Sequence, residues 1–129
     1  PNSVQAIFVN MGLAKNAVEA GNLEEAEKRL EQALNTTDDK ALEPLVRLRL
    51  ARVKNGLKKH DEALSLLSKP APEAYQPLID ELQADIYLAK GDRSSAIEHY
   101  RKAIEKTDPK SRTVGYLKMK LNELGESAS

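Results

Sequence analysis

The side chains that most often carry chemistry in proteins are scarce in this 129-residue sequence. It contains two histidines, His60 and His99, and no cysteine. The two histidines are far apart, and neither has a second histidine at the spacing of a metal-binding pair. The lack of cysteine excludes disulfides, zinc–thiolate sites and thiol nucleophiles. The sequence therefore predicts no metal site and no cofactor.

Paired acidic residues are the other candidates for acid–base chemistry. Glu24-Glu25 and Asp38-Asp39 fall at predicted helix starts, where carboxylates cap the helix and interact favourably with its dipole. The sequence also lacks a glycine-rich phosphate loop and a nucleophile elbow. We therefore expect a protein that is not an enzyme and has no catalytic residues.

A cluster of basic side chains is a candidate binding feature. Arg47, Arg49 and Arg52 form a local cluster, and an arginine guanidinium can hold a carboxylate of a partner. Over the whole sequence 20 Lys and Arg balance 20 Asp and Glu, so no net field favours nucleic acid. Every apolar stretch is interrupted well before the roughly 18–20 residues that cross a bilayer. We expect no nucleic-acid partner and no direct membrane insertion by this sequence.

The elements that position these residues are predicted to be helices. The sequence is rich in Ala, Leu, Glu and Lys and has 4% aromatic residues, which favours helices over a β-sandwich. Three segments recur at intervals of 37 and 33 residues, near the roughly 34-residue period of helix-turn-helix repeats. Each segment has two alanines where two antiparallel helices would cross closely. These are Ala14 and Ala26, Ala51 and Ala63, and Ala84 and Ala96.

Glycine and proline set the predicted boundaries. Gly21-Asn22 and Gly91-Asp92 predict a left-handed helix end followed by a cap for the next helix. Pro70 and Pro72 predict a short second helix in repeat two. We expect a single domain over residues 1–129, with repeats at 3–36, 40–68 and 73–106, a capping helix at 110–124 and a frayed tail at 125–129. The predicted helices are 3–20, 23–36, 40–56, 60–68, 73–90, 93–106 and 110–124.

The third repeat resembles the tetratricopeptide consensus. The residues that carry this resemblance, in the expected order, are Ala84, Tyr87, Gly91, Asp92, Ala96, Tyr100, Ala103 and Asp108-Pro109. The first repeat is similar, whereas the second has Pro70 where a small helical residue is usual. The resemblance implies an all-α, tetratricopeptide-like α-solenoid of three helical hairpins plus a C-terminal capping helix.

Four further segments resemble one family in particular, the ancillary subunits of the SecYEG translocon. The segments are LVRLRLARV at 45–53, DEALSLL at 61–67, YQPLIDELQADIYLAKGD at 75–92 and KMKLNEL at 118–124. They occur in order over nearly the whole chain. The Arg-Leu-Ala-Arg segment and the Lys-Met-Lys-Leu-Asn segment are more specific than the repeat signature.

This second resemblance implies a function that the repeat alone does not. Members of the family are expected to be bacterial inner-membrane proteins whose helical domain lies in the periplasm, held by a single-span anchor that this chain would lack. The implied partners are the SecYEG translocon and a membrane-anchored periplasmic chaperone, with the domain linking the two for exported proteins. The alternative is a generic tetratricopeptide adaptor or a homo-oligomerisation module, such as a homodimer, in another bacterial assembly.

Partner binding is expected on a concave face lined by the first helix of each hairpin. For each apolar member of this face, the alternative is a place in the core, and Phe8 and Met11 are the strongest exceptions to that alternative. Arg52 and Asp85 occupy equivalent positions in adjacent repeats, which favours an ion pair between them over a contact with a partner. The predicted partner-binding residues are Phe8, Met11, Lys15, Leu45, Leu48, Arg52, Leu78, Glu81, Asp85 and Leu88.

Overall fold

Helices account for almost all the regular structure in the computed structural model, which describes residues 4–126. Over that range there are seven α-helices, one short 3-10 turn and no strand. The first helix of each pair packs against the second, so α1–α2, α3–α4 and α5–α6 are hairpins, and α7 packs on α6. The predicted all-α fold of three hairpins and a final helix is confirmed. The helices are α1 (Val4–Glu19), α2 (Leu23–Thr36), α3 (Glu43–Gly56), α4 (His60–Leu67), α5 (Gln76–Lys90), α6 (Arg93–Lys106) and α7 (Arg112–Glu123).

Three helices begin later than the sequence predicts, and one of them is α7, which begins at Arg112 instead of residue 110 because Ser111 caps it. Helix α3 begins at Glu43 instead of residue 40, because Asp39 Oδ1 accepts the backbone N–H of Ala41 at 2.8 Å and holds residues 40–42 in a turn. Helix α5 begins at Gln76 because Glu73–Tyr75 form the 3-10 turn after Pro72. Ser3, the first residue of the predicted first helix, lies outside the described residues.

The predicted glycine turns are present in the first and third hairpins. Gly21 and Gly91 have φ of 80° and 87°, in the left-handed region that a Cβ disfavours. Asn22 Oδ1 then accepts the N–H of Glu25 at 3.2 Å, and Asp92 caps α6 in the same way. The middle hairpin differs, because Lys58 takes the left-handed conformation with φ 63°. The glycine of that repeat, Gly56, is instead the last residue of α3.

The chain divides into two compact units, Pro1–Lys69 and Pro70–Ser129. We refer to them as the first and the second unit. The first contains α1 to α4, and the second contains α5 to α7. The arrangement of the whole chain as a single domain stays a prediction.

In the first unit, α1, α2 and α3 share one apolar core. Met11, which the sequence predicts to bind a partner, is a buried member of this core. Leu45 packs against it in part. The buried members are Ile7, Met11, Ala14 and Ala17 of α1, Ala26, Leu30 and Ala33 of α2, and Val46, Leu50 and Val53 of α3.

A network of charges joins α2, α3 and α4 beside this core. Lys54 Nζ lies 2.8 Å from Glu27 Oε2 and 2.8 Å from Glu62 Oε1. Lys59 Nζ also donates to Glu27, at 2.8 Å. The hydrogen bonds from Lys54 and Lys59 lower the pKa of Glu27 despite its burial. Glu27 therefore stays ionised at neutral pH, and its bonds to the two lysines fix the α3–α4 turn against α2.

In the second unit, α7 covers the apolar face of α6. Val114, Leu117 and Leu121 of α7 are buried, as expected for a capping helix. Met119 is 49% exposed because it is two residues from both Leu117 and Leu121, which places it on the opposite side of the helix. The core cluster of this unit contains Ala84, Ala96, Ile97, Tyr100, Ala103, Leu117 and Leu121.

The end of α7 is closed by a left-handed glycine. Gly125 has φ 80°, and the N–H of Glu126 donates to the carbonyl of Leu121 at 3.0 Å. Residues 127–129, the rest of the predicted tail, lie outside the described part of the chain.

The alanines predicted at the helix crossings are all buried. Ala84 and Ala96 have no exposed surface and belong to the same core cluster. We expect Ala96→Leu to lower the free energy of unfolding by about 1–3 kcal/mol, because the added side chain would force α5 and α6 apart. Urea unfolding followed by circular dichroism measures this change. The exposed Ala89→Leu is the control, and an equal loss in both variants would contradict close packing at Ala96.

Candidate functional site

An open cavity of about 410 Å³ lies in the first unit between α1, α2 and α3. Its floor is formed by core side chains, among them Met11, Leu30 and Val53. Val18 is 44% exposed and lies at the mouth. The lining consists of Met11, Ala14, Lys15, Val18 and Glu19 from α1, Leu23 and Leu30 from α2, and Arg49, Arg52 and Val53 from α3. We call this cavity the α1–α3 groove.

The mouth of the groove is basic. Lys15, Arg49 and Arg52 are exposed there, together with one acidic residue, Glu19. Among the described residues of the first unit, none of the four has an ion-pair or side-chain hydrogen-bond partner. Arg49 and Arg52 lie one helical turn apart on the same face of α3. The groove thus combines an apolar floor with cations whose charges are not neutralised by neighbouring side chains.

The third arginine of the predicted cluster has a structural role. Arg47 is buried, and its Nε lies 3.1 Å from Glu43 Oε1 while its Nη1 donates to the carbonyl of Leu66 at 3.2 Å. It therefore ties α3 to the end of α4. Arg47 lies two residues from Arg49, which turns its side chain away from the groove.

Three of the predicted partner-binding residues line the groove, namely Met11, Lys15 and Arg52. The other three from the first unit do not. Phe8 is 52% exposed on α1 outside the groove, Leu45 is half-buried against the core, and Leu48 is buried. Binding by these residues stays a prediction.

The predicted residues of the second unit lie along α5. Leu78 is exposed, whereas Glu81, Asp85 and Leu88 are half-buried. Asp85 accepts a hydrogen bond from the hydroxyl of Tyr100, and burial together with this bond raises the pKa of Tyr100 well above its usual range. The ion pair between Arg52 and Asp85 would join the two units, and it stays a prediction.

Both histidines contact polar side chains of their own unit. His99 Nδ1 lies 3.2 Å from Asp80 Oδ1, and Lys106 Nζ lies 2.7 Å from Asp80 Oδ2. His60 Nδ1 lies 2.9 Å from Asn55 Oδ1. Among the residues that the structure describes, no group of three or more His, Cys, Asp or Glu side chains could hold a metal ion.

The sequence did not single out several residues that line the groove. Leu23 and Leu30, on one face of α2, and Val53 of α3 belong to an ordinary apolar pattern that predicts core and not a groove floor. Arg49 was recognised only as a member of the arginine cluster. Its spacing of three residues from Arg52 was the available signal, because that spacing places both side chains on one helix face.

A sequence model of the tetratricopeptide repeat-like domain family matches residues 1–126. No solved structure matches the chain significantly. The structure describes no helix, within residues 4–126, that is both long and apolar enough to cross a membrane.

Curated relatives from several bacteria carry the name ancillary SecYEG translocon subunit. The relative from Escherichia coli is 32% identical over 91% of this chain and 56% of its own length. The relative from Haemophilus influenzae is 34% identical over 92% of this chain and 57% of its own length. The relative from Neisseria gonorrhoeae is 31% identical over 96% of this chain and 59% of its own length. The chain therefore spans less than two thirds of the length of each of these relatives.

Proposed function

Because the chain belongs to the tetratricopeptide repeat-like domain family, we propose that it is a protein-interaction scaffold of the bacterial export machinery. The family is not an enzyme family, in agreement with the sequence. In this proposal the chain binds polypeptides without turnover, as part of an ancillary subunit of the SecYEG translocon. The relatives that carry that name support this setting.

The observation that carries the proposal is the α1–α3 groove. An apolar floor beside exposed charged side chains is the usual anatomy of a site that takes apolar anchors and fixes them with a few polar contacts. The groove is built on three helices that share one core, so its shape does not depend on a loop. Such a site suits a rigid docking surface for another chain.

The proposal also covers the binding partners of this chain and its location in the cell. We propose docking to the SecYEG translocon and to a membrane-anchored periplasmic chaperone, on the periplasmic side of a bacterial inner membrane. The names of the relatives support the translocon as a partner. The chaperone and the periplasmic location come from the resemblance of segments 45–53, 61–67, 75–92 and 118–124 to that family.

Affinity capture tests the proposal directly. The tagged chain is incubated with detergent-solubilised bacterial inner membranes, and translocon subunits are identified by mass spectrometry. Val18→Glu places a charge at the groove mouth, and Gln32→Glu places the same charge on an exposed position of α2 outside the groove. We expect capture by the wild-type chain and by Gln32→Glu, with loss in Val18→Glu. If the wild-type chain captures no translocon subunit, the proposed function is wrong.

A second candidate function, self-association, is favoured by one exposed face of α1. Phe8 and Val9 are 52% and 59% exposed, and Val4 and Leu13 are also exposed. Residues 4–14 contain no charged side chain, so two copies of this face would meet without like-charge repulsion. Exposed apolar patches of this kind mark interaction surfaces.

We expect Phe8→Glu to abolish any self-association through this face. Introducing a carboxylate into a symmetric contact brings two like charges together and removes the largest apolar side chain. Light scattering over a range of concentrations measures the effect, with Gln32→Glu, which adds the same charge at an exposed position of α2, as the control. A wild-type chain that stays monomeric at high concentration rules out the oligomer.

A further inference from the structure

We propose that the α1–α3 groove selects polypeptide segments in which apolar side chains are flanked by Asp or Glu residues. This inference rests on the proposed function and assigns a chemistry to the partner. Neither the family nor the names of the relatives specify a sequence class for what the groove binds.

The floor of the groove sets the apolar part of this preference. Met11, Leu30 and Val53 face the cavity, and Val18 at the mouth is partly exposed. A volume of about 410 Å³ lies in the lower part of the roughly 300–1,000 Å³ range of ligand pockets. The space therefore suits a few side chains from a segment that crosses the mouth, and not an entire helix.

The charges at the mouth set the acidic part. Lys15 lies on α1, whereas Arg49 and Arg52 lie on α3, so cations border the groove on two sides. Glu19 is the one acidic residue in the lining of this groove, which leaves an excess of two positive charges over the described side chains there. Charge complementarity with a partner therefore requires carboxylates close to the apolar anchors.

The positions of these three cations favour a partner with several side-chain carboxylates over a partner that offers only its C-terminal carboxylate. A single C-terminal carboxylate has room for one bidentate arginine contact. Three cations on two helices instead match a segment with several acidic side chains. The overall composition of the chain is neutral, so this preference arises from the local arrangement and not from net charge.

A peptide titration with the 129-residue chain tests the inference. The probe is a short fluorescent peptide with a central Leu-Phe pair flanked on each side by two Glu residues, blocked at both ends. A second peptide replaces Glu by Gln, and a third replaces Leu-Phe by Ser-Ser. We expect the first peptide to bind at least about tenfold more tightly than either of the others at low salt, with the difference shrinking as salt is added.

Charge variants locate the binding to the groove. Arg49→Glu with Arg52→Glu is expected to weaken the first peptide about 30-fold. Lys28→Glu with Lys40→Glu changes the net charge equally at exposed positions outside the groove, and should have less than about a threefold effect. Glu19→Gln is expected to tighten binding about two- to threefold, because it removes a repulsive charge from the mouth.

Three outcomes would overturn the inference. The first is that the Gln peptide binds as tightly as the Glu peptide. The second is that the Lys28→Glu/Lys40→Glu control loses as much affinity as the Arg49→Glu/Arg52→Glu variant. The third is that laurate at equal concentration displaces the peptide completely, which would assign the groove to anionic amphiphiles. If the chain captures translocon subunits in the membrane experiment while the Gln peptide binds equally well, the inference fails and the proposed function stands. If the peptides behave as expected and no translocon subunit is captured, the proposed setting fails and the peptide preference stands.

Discussion

Tyr100→Ala is expected to lower the free energy of unfolding of the second unit by about 3–5 kcal/mol. Tyr100 has no exposed surface, and it is the largest of the fully buried side chains. It lies in the core cluster with Ala84 of α5 and Leu117 of α7. Its removal leaves a cavity among three helices that small alanine side chains cannot fill. Urea unfolding followed by circular dichroism measures the loss.

Tyr100→Phe separates the hydroxyl from the ring. This change removes the hydrogen bond to Asp85 and keeps the packing, so we expect a loss of about 0.5–1.5 kcal/mol. Tyr116→Ala removes a tyrosine that is 43% exposed and should cost no more than about 1 kcal/mol. A Tyr100→Ala variant that is no less stable than Tyr116→Ala would contradict the packing described for α5, α6 and α7.

Lys54→Met is expected to destabilise the first unit by about 3 kcal/mol. Breaking a buried ion pair by removing one partner costs about 3–5 kcal/mol, and Lys59 still reaches Glu27 at 2.8 Å, which places the effect at the lower end. Methionine keeps most of the volume of lysine, so the change reports the loss of charge and hydrogen bonds. Lys28→Met, at an exposed lysine, should stay within about 0.5 kcal/mol of wild type.

The pH dependence of the stability of the wild type and of Lys54→Met gives an independent check. The pKa of Glu27 is lowered by its hydrogen bonds with Lys54 and Lys59, so its contribution to stability is present above its ordinary pKa of 4.5 and is lost as pH falls through the lowered value. We expect the difference between wild type and Lys54→Met to be large at neutral pH and to shrink well below pH 4.5. An undiminished difference in acid would show that Lys54 acts through packing alone.

Much of the fold could be predicted because local rules and the packing agree. Ala14, Ala26, Ala84 and Ala96 stand where helices cross, and all are buried. Gly21 and Gly91 occupy the left-handed positions that the spacing predicts. The middle turn could not be predicted from glycine, because Lys58 adopts the left-handed conformation there while Gly56 remains helical. Lysine does not favour this conformation. The turn is stabilised instead by the bonds of Lys54 and Lys59 to Glu27.

The candidate site was only partly predictable. Helical spacing identifies which residues of one helix share a face, and three of the predicted residues, Met11, Lys15 and Arg52, line the same groove. Spacing does not reveal how deeply a neighbouring helix covers that face. For this reason the spacing did not show that Met11 lies in the floor of the groove and that Leu48 is buried. The buried pair of Lys54 and Glu27 was also missed, because its members are 27 residues apart and belong to different repeats.

Site-specific photo-crosslinking from the groove is the most direct test of the claim that this chain binds polypeptides there. A photoreactive phenylalanine replaces Val18 at the groove mouth in one protein and Gln32 on the exposed side of α2 in another. Both proteins are irradiated with bacterial inner membranes, and the cross-linked peptides are sequenced by mass spectrometry. The account predicts cross-links from Val18 to a translocon subunit, at a segment with acidic residues beside apolar ones, and few from Gln32. Equal cross-linking from both positions, or none from Val18, would contradict it.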